Sequence, residues 1–392
     1  MITFVAVLGP SGSGKSSLIS SLFIHTQEVV RQTRLGIGVF PAVDDEDENG
    51  ETSKDKFDKA TSSFAQSIAK NKEMYFRALL AGTAERTDYK LKFGFPREYK
   101  GEELNVCFTD YPGGWLNTPD MLKISEYIDV AHVLLVPIPA DILLYLGEND
   151  SKNFPNGNSD ADARWEKCYK ILQIYNVVSE ISAWMNHRAE TKNKSLLYFV
   201  PVRCEHCFGD NDHNNPDAGE LVEKLSNLII ENYVKTLKIS EDVKRYIQIK
   251  IHAVDTYGIS KFESIDPQTC QSRFQISIPF GRPRSIAPKG AFELMSEIID
   301  FSLTRLTSQI ESHRQAQQNI INNRGLFGKI FAAIFSDKQG QEVEIDTRAI
   351  DTLHECMLEM SRNGQRYAHG QRYDGAREKD LELDEIFPAE EN

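Results

Sequence analysis

The sequence predicts an α/β protein in which a mostly parallel sheet is covered by helices on both faces. Two observations carry that expectation. Short apolar runs of strand character alternate along the chain with stretches whose apolar residues recur at helical spacing, the pattern of strand, helix and strand crossovers. The first of these strands also runs directly into a glycine-rich turn and then a helix, which sets a loop at one end of the sheet.

Composition bounds the reading. With 392 residues, a prior of roughly 150 residues per domain allows more than one unit. Hydrophobic residues make up 40% and charged residues 26%, so the chain has material for a sizeable core and wholesale disorder is excluded. No apolar run approaches the roughly 18 residues of a membrane helix. The opening Met1-Ile2-Thr3-Phe4 lacks the basic flank and small-residue cleavage site of a signal peptide. Six cysteines are scattered along the chain, which fits a reducing cytoplasm better than a disulfide framework. The net charge of −13 argues against nucleic-acid binding. A soluble, cytoplasmic protein is expected.

In chain order, Ile2 to Leu8 reads as a buried strand, and Lys15 to Val30 as a helix with Leu18, Ile19, Leu22, Phe23 and Val29 at helical spacing. The pattern then changes. An acidic run from Asp44 to Glu51 precedes a helix expected from about Phe57 to Leu80. Tyr89 to Phe95 alternates as a half-exposed strand, and Leu104 to Thr109 is another. A helix near Met121 to Ala131 leads to the apolar strand Val133 to Ile138. Asn149 to Asp162 is polar and reads as a surface insertion. Trp165 to Trp184 is expected as one long amphipathic helix, with Ile171, Ile174, Val178 and Ile181 on one face. Strands at Leu196 to Val202 and Tyr246 to Val254 flank a helix at Ala218 to Leu237, and a periodic helix follows at Ala291 to Leu306.

These elements make one domain over residues 1–306, with a long insertion at about 31–88 and a polar one at about 149–162. A helical extension is expected over 307–373 and a solvated acidic tail over 374–392. Within the extension, Leu326, Phe327, Ile330, Phe331, Ile334 and Phe335 share one helical face. Packing on its own domain is the favoured reading, with peripheral membrane contact or a partner groove as alternatives.

The most specific chemical signal is Gly9-Pro10-Ser11-Gly12-Ser13-Gly14-Lys15-Ser16, followed by Ser17. It matches G-x-x-x-x-G-K-S between a strand and a helix, the context this motif requires. Glycines let backbone amides close around a phosphate chain, and the helix N-terminus adds a favourable dipole. Lys15 is expected on the β- and γ-phosphates, and the Ser16 hydroxyl on Mg²⁺. A second motif follows the third apolar strand, where Val106-Cys107-Phe108-Thr109 runs into Asp110-Tyr111-Pro112-Gly113. The aspartate of such an Asp-x-x-Gly element meets Mg²⁺, and its glycine amide contacts the γ-phosphate. A transporter ATPase would show a Ser-Gly-Gly-Gln signature and a strand ending in Asp-Glu, and the sequence has neither.

With both motifs in hand, residues 1 to about 306 resemble the TRAFAC-class, Ras-like P-loop GTPases, and within them the "double-GTPase" group of bacterial conflict systems. The resemblance implies GTP and Mg²⁺ as ligands, with ATP not excluded. It implies a switch I threonine on the metal, which falls on Thr83 or Thr87. The base-reading motif falls on Arg203-Cys204-Glu205, with Arg203 over the base and Glu205 pairing with its hydrogens, and an exposed polar turn is the competing reading. A further turn after the last strand falls on Ala253 to Gly258. The catalytic set is then Lys15, Asp110 and Gly113.

Two departures from the family bear on mechanism. A glutamine that orients water follows the switch II glycine in many members, whereas Gly114 and Trp115 stand here. Slow intrinsic hydrolysis, helped by a protein partner or by self-association, is the expectation. The long insertion inside the switch I region is read as a nucleotide-dependent contact surface. Rival functions are an ATPase or nucleotide kinase using the same loop, and a non-hydrolysing nucleotide-binding module. Cys204 and Cys207, with His206 and His213 nearby, are read as structural thiols rather than a zinc site, because no second pair follows at finger spacing. His25, His132, His187 and His252 are read as ordinary structure.

Overall fold

A computed structural model describes residues 2–33, 38–42, 50–59, 75–77, 86–94, 104–149, 159–204, 218–258, 260–270, 272–276, 288–305 and 379–387, with 308 and 355. The strands are β1 (Ile2–Val7), β2 (Gly38–Pro41), β3 (Tyr75–Arg77), β4 (Thr87–Gly94), β5 (Leu104–Asp110), β6 (Val133–Pro139), β7 (Ser195–Val202), β8 (Ile247–Ile251), β9 (Ser260–Ile265), β10 (Ser272–Ile276) and β11 (Lys379–Asp380). The helices are α1 (Lys15–Thr33), α2 (residues 53–59), α3 (Met121–Ile128), α4 (Ala140–Glu148), α5 (Ser159–Leu172), α6 (Ile174–Glu190), α7 (Ala218–Asn232), α8 (Glu241–Tyr246) and α9 (residues 291–305).

The main sheet has the order β11-β8-β7-β6-β1-β5-β4-β2. Its inner strands, β8 through β5, pair in parallel, while β4, β2 and β11 add antiparallel edges. The chain is thus α/β, with a mostly parallel mixed sheet and helices on both faces. Alternation along β1 shows how one strand serves two cores. Ala6 and Leu8 enter the cluster built with α3 to α8, whereas Val5 and Val7 enter the cluster built with α1 and α9. β1 lies between β5 and β6; β2, β4 and β5 stand on one side of it and β6, β7 and β8 on the other, so the strand order reverses at the end of β1, a topological switch point of the kind where α/β sheets bind ligands.

Several elements differ from the sequence expectation. The single helix over Trp165 to Trp184 is two helices, because Gln173 takes a left-handed φ of 47° and breaks the ladder between α5 and α6. Residues 159–162, expected in the polar insertion, open α5. The helix expected over Phe57 to Leu80 is helical at 53–59 but contains strand β3 at 75–77. The helix from Ala218 ends at Asn232, and a 3₁₀ turn, Val234–Thr236, follows. The last strand of the core stops at Ile251, leaving Val254 as an isolated bridge to Val202.

The helix α4 and the small antiparallel sheet β3-β10-β9 have no counterpart in the sequence expectation. The acidic tail is not wholly solvated: Lys379 and Asp380 pair with β8, and Leu381 is buried. The apolar face at 326–335 and the rest of the extension over 307–373, apart from residues 308 and 355, lie outside the described residues. Among the described residues, no helix is long and apolar enough to cross a membrane.

Candidate functional site

The loop between β1 and α1 is held by its own sequence. Ser13 N–H donates to the Pro10 carbonyl at 3.2 Å, and Leu18 N–H donates to Gly14 O at 2.8 Å, starting the helix. Gly14 has φ +94°, a conformation L side chains rarely adopt, and a Cβ there would sit 3.2 Å from Val202 Cγ2. Lys15 folds back over the loop. Its Nζ donates to the carbonyls of Gly9 at 2.9 Å and Pro10 at 3.0 Å. Burial pulls the Lys15 ammonium below its ordinary range, and the nearby Asp110 carboxylate opposes that shift.

Asp110 closes β5, whose register with β1 sets Asp110 beside Val7, one residue short of Leu8 and the loop. Ser16 Oγ donates to Asp110 Oδ2 at 2.5 Å, joining groups 94 positions apart. The carboxylate is fully buried. Thr87 opens β4 and is the register partner of Asp110. The buried Tyr89 hydroxyl is pushed well above its usual range, first by burial and then by Asp110.

Gly113 begins a 3₁₀ turn, Gly113–Asn117, and packs against the loop itself. A Cβ there would lie 2.1 Å from Ser11 N and 2.3 Å from the Pro10 carbonyl carbon. Gly114 has open space around it, and Trp115 lies under Lys123, with Nζ 5.5 Å from the ring centroid. Neither Gly114 nor Trp115, the two residues that directly follow Gly113, carries a carboxamide that could orient water, and the Asn117 carboxamide at the end of the turn accepts from Asn176 Nδ2 at 2.8 Å.

Arg203 reaches the same loop from the end of β7. It adopts a left-handed φ of 58°, and Nη2 donates to Gly12 O at 2.6 Å. Its Nη1 stands 3.8 Å from Asp141 Oδ2, where both side chains are nearly inaccessible. Ser272 Oγ, from β10, donates to the same carboxylate oxygen. Asp141 and Ser272 were missed in the sequence. The available signal was a carboxylate set in the first turn after the wholly apolar strand β6. The turn from Ala253 to Gly258 is ordered by Asp255, which accepts from Tyr257 N–H at 3.1 Å and Gly258 N–H at 2.8 Å. Burial raises the Asp255 carboxyl despite these bonds. The turn reaches α1 through Ser21 Oγ, which donates to Thr256 O at 3.0 Å.

The structure thus brings together Gly9 through Ser17, Asp110, Gly113 and Arg203, with Thr87 opposite Asp110. Thr83, Glu205 and Cys207 lie outside the described residues. Among the described residues, no group of three His, Cys, Asp or Glu side chains gathers as a metal set. A cation here would draw on the Ser16 hydroxyl and the Asp110 carboxylate, hard oxygen donors of the kind that suit Mg²⁺ shared with phosphate oxygens. The Ser13 hydroxyl is buried in the loop without a hydrogen-bond partner, as fits a cradle built to meet an added group. No protein-family model matches the chain, and no curated protein matches it.

Proposed function

We propose that this chain is a P-loop, Ras-like GTP-binding switch protein that hydrolyses GTP slowly with Mg²⁺. The observation that carries the reading is the Ser16 to Asp110 hydrogen bond at 2.5 Å. Two motifs from distant parts of the sequence meet at one point. Gly113 against Ser11 supports the same reading, since a glycine that touches the loop backbone can report on what the loop holds.

In this scheme the loop amides from Ser11 to Ser16 bind the phosphates, and Lys15 leaves its two carbonyl acceptors to meet the β- and γ-phosphate oxygens. Ser16 and Asp110 would hold Mg²⁺, with Thr87 or Thr83 completing the set from the switch I side. The bound ion supplies charge neutralisation at the phosphates. Arg203 fixes the Gly12 carbonyl and so the mouth of the loop, and Glu205 would read guanine. Because Gly114 and Trp115 offer no group that positions water, the intrinsic rate is low. A protein partner or a second copy supplies what is missing.

The insertion after β2 is the surface such a partner would read. Within it, α2 is docked beside the site: Phe57 packs on Phe23 and Tyr89 with ring centroids 4.5 and 5.0 Å apart. A role in a bacterial defence-type assembly follows from the resemblance. Titration of the full chain with fluorescent GTP and ATP analogues, with and without Mg²⁺, tests the reading. Tight Mg²⁺-dependent binding that favours GTP is expected, with phosphate release over hours. Equal binding of ATP, or no binding, overturns it.

A further inference from the structure

We propose that Cys168 and Cys270 form a reversible disulfide that locks the β9–β10 hairpin onto α5 and slows release of nucleotide from the phosphate loop. The bond stands on geometry alone, and the effect on release rests on the nucleotide-binding reading given above.

Cys168 lies on α5 and Cys270 at the end of the turn between β9 and β10. Both are buried, and their sulfurs stand 3.5 Å apart. A disulfide needs about 2.0 Å, so the sulfurs must draw together by about 1.5 Å. The turn that carries Cys270 is tightly made. Asp266 Oδ1 accepts from Gln268 N–H at 2.8 Å and Thr269 N–H at 3.2 Å, and Cys270 N–H donates to Asp266 O at 2.7 Å. Cys270 itself is held at φ +51°, a strained position for a residue with a Cβ. Pro267, Gln268 and Thr269 are exposed, so local opening of this turn admits a small oxidant. Lys167, next to Cys168, already donates to Gln268 O.

The hairpin is connected to the loop by a short polar chain. Two residues after Cys270, Ser272 donates to Asp141, which faces Arg203, which donates to Gly12 O. Fixing the hairpin on α5 fixes Ser272, and through it the guanidinium that holds the loop. Burial pushes the Cys168 thiol well above its ordinary range, so Cys168 reacts second, as the resolving thiol.

The oxidant is a small-molecule disulfide. The Cys270 thiolate attacks one of its sulfurs and releases one small thiol, leaving a mixed disulfide on Cys270. The Cys168 thiolate then attacks the Cys270 sulfur and expels the second small thiol. Two protein thiols are oxidised, one small disulfide is reduced to two thiols, and the two thiol hydrogens leave on those products.

The test uses the reduced full chain, oxidised glutathione, non-reducing proteolysis and mass spectrometry, followed by release of a fluorescent GTP analogue. A loss of two hydrogens is expected, with a crosslinked peptide pair containing Cys168 and Cys270. Release should slow on the order of fivefold or more, with no such change in Cys168→Ser or Cys270→Ser. Both variants are used so that a folding defect in one does not decide the result. Free thiols, or glutathione retained on Cys270 in folded protein, overturn the bond. A crosslink with unchanged release, in protein that binds the analogue, overturns the lock. Failure of both redox forms to bind the analogue overturns the nucleotide reading and the release effect together, while the crosslink is judged by its mass alone.

Discussion

Thr87 and Asp110 are partners across the β4–β5 ladder. Strand alternation turns both toward the face that carries α1, because Tyr89, Leu91, Val106 and Phe108 lie in the core shared with that helix. The residue where the chain returns from its long insertion therefore sits beside the carboxylate that receives Ser16. A movement at this point of the insertion is felt directly at the site.

Asp110→Asn and Ser16→Ala each remove one oxygen donor while keeping the side chain's approximate shape. Each should weaken Mg²⁺-dependent binding of a fluorescent GTP analogue by roughly 10–100-fold. Binding measured in excess EDTA should change little. Wild-type titration curves from both variants would remove these residues from the site.

Lys15→Met separates binding from folding. The ammonium is buried, and its environment already disfavours the charge, so an apolar replacement removes a desolvation cost. Without nucleotide the variant should melt no lower than the parent protein. Its GTP affinity should fall by about 100-fold, the loss of roughly 3 kcal/mol of charge-assisted hydrogen bonding. Thermal melts with and without GTP read both effects.

Gly113→Ala and Gly114→Ala form a matched pair. At 113 the added methyl meets the Ser11 and Pro10 backbone, and at 114 it meets nothing within 4 Å. The first should cost about 1–3 kcal/mol in urea unfolding and weaken GTP binding. The second should lie within about 0.5 kcal/mol of the parent. Equal effects would mean that Gly113 does not abut the loop.

Acid should unfold the protein partly through histidine. His25 Nδ1 accepts from Phe292 N–H at 3.0 Å, joining α1 to α9, and burial lowers its pKa to about 4. His132 Nδ1 accepts from Phe4 N–H, and its pKa falls to about 3, again chiefly through burial. Between an unfolded value near 6.5 and these folded values, the unfolded chain binds more protons, so stability falls as pH falls through that window. His25 alone contributes on the order of 3 kcal/mol between pH 6.5 and 4. In His25→Gln, the loss of urea resistance between pH 7 and 4.5 should be smaller than in the parent.

The parts of the molecule that were legible in the sequence are those whose signal is local. Gly9 to Ser16 is one contiguous string, and Asp110 is flagged by the apolar strand before it and Gly113 after it. The break at Gln173 was not legible, because the apolar residues of α5 and α6 keep helical spacing through a position whose backbone turns left-handed. α4 was hidden because the sequence from Val133 to Leu146, apolar but for Asp141, continues from strand into helix with Pro139 at the boundary. β3 has three residues and owes its place to pairing with β10, about two hundred positions away. Asp141 and Ser272 meet across 131 positions, a separation that no periodicity records.

The pairing of Lys379 and Asp380 with β8 has a consequence for the far margin of the sheet. Leu381 N–H donates to Ile249 O at 3.1 Å, and Lys244 Nζ reaches Phe387 O at 2.8 Å, so these late residues are fastened as well as paired. They occupy backbone groups of β8 that would otherwise template another chain. Cutting the protein before Lys379 would uncover a sticky border, and clumping of the shortened protein, rather than lost chemistry, would be its first symptom.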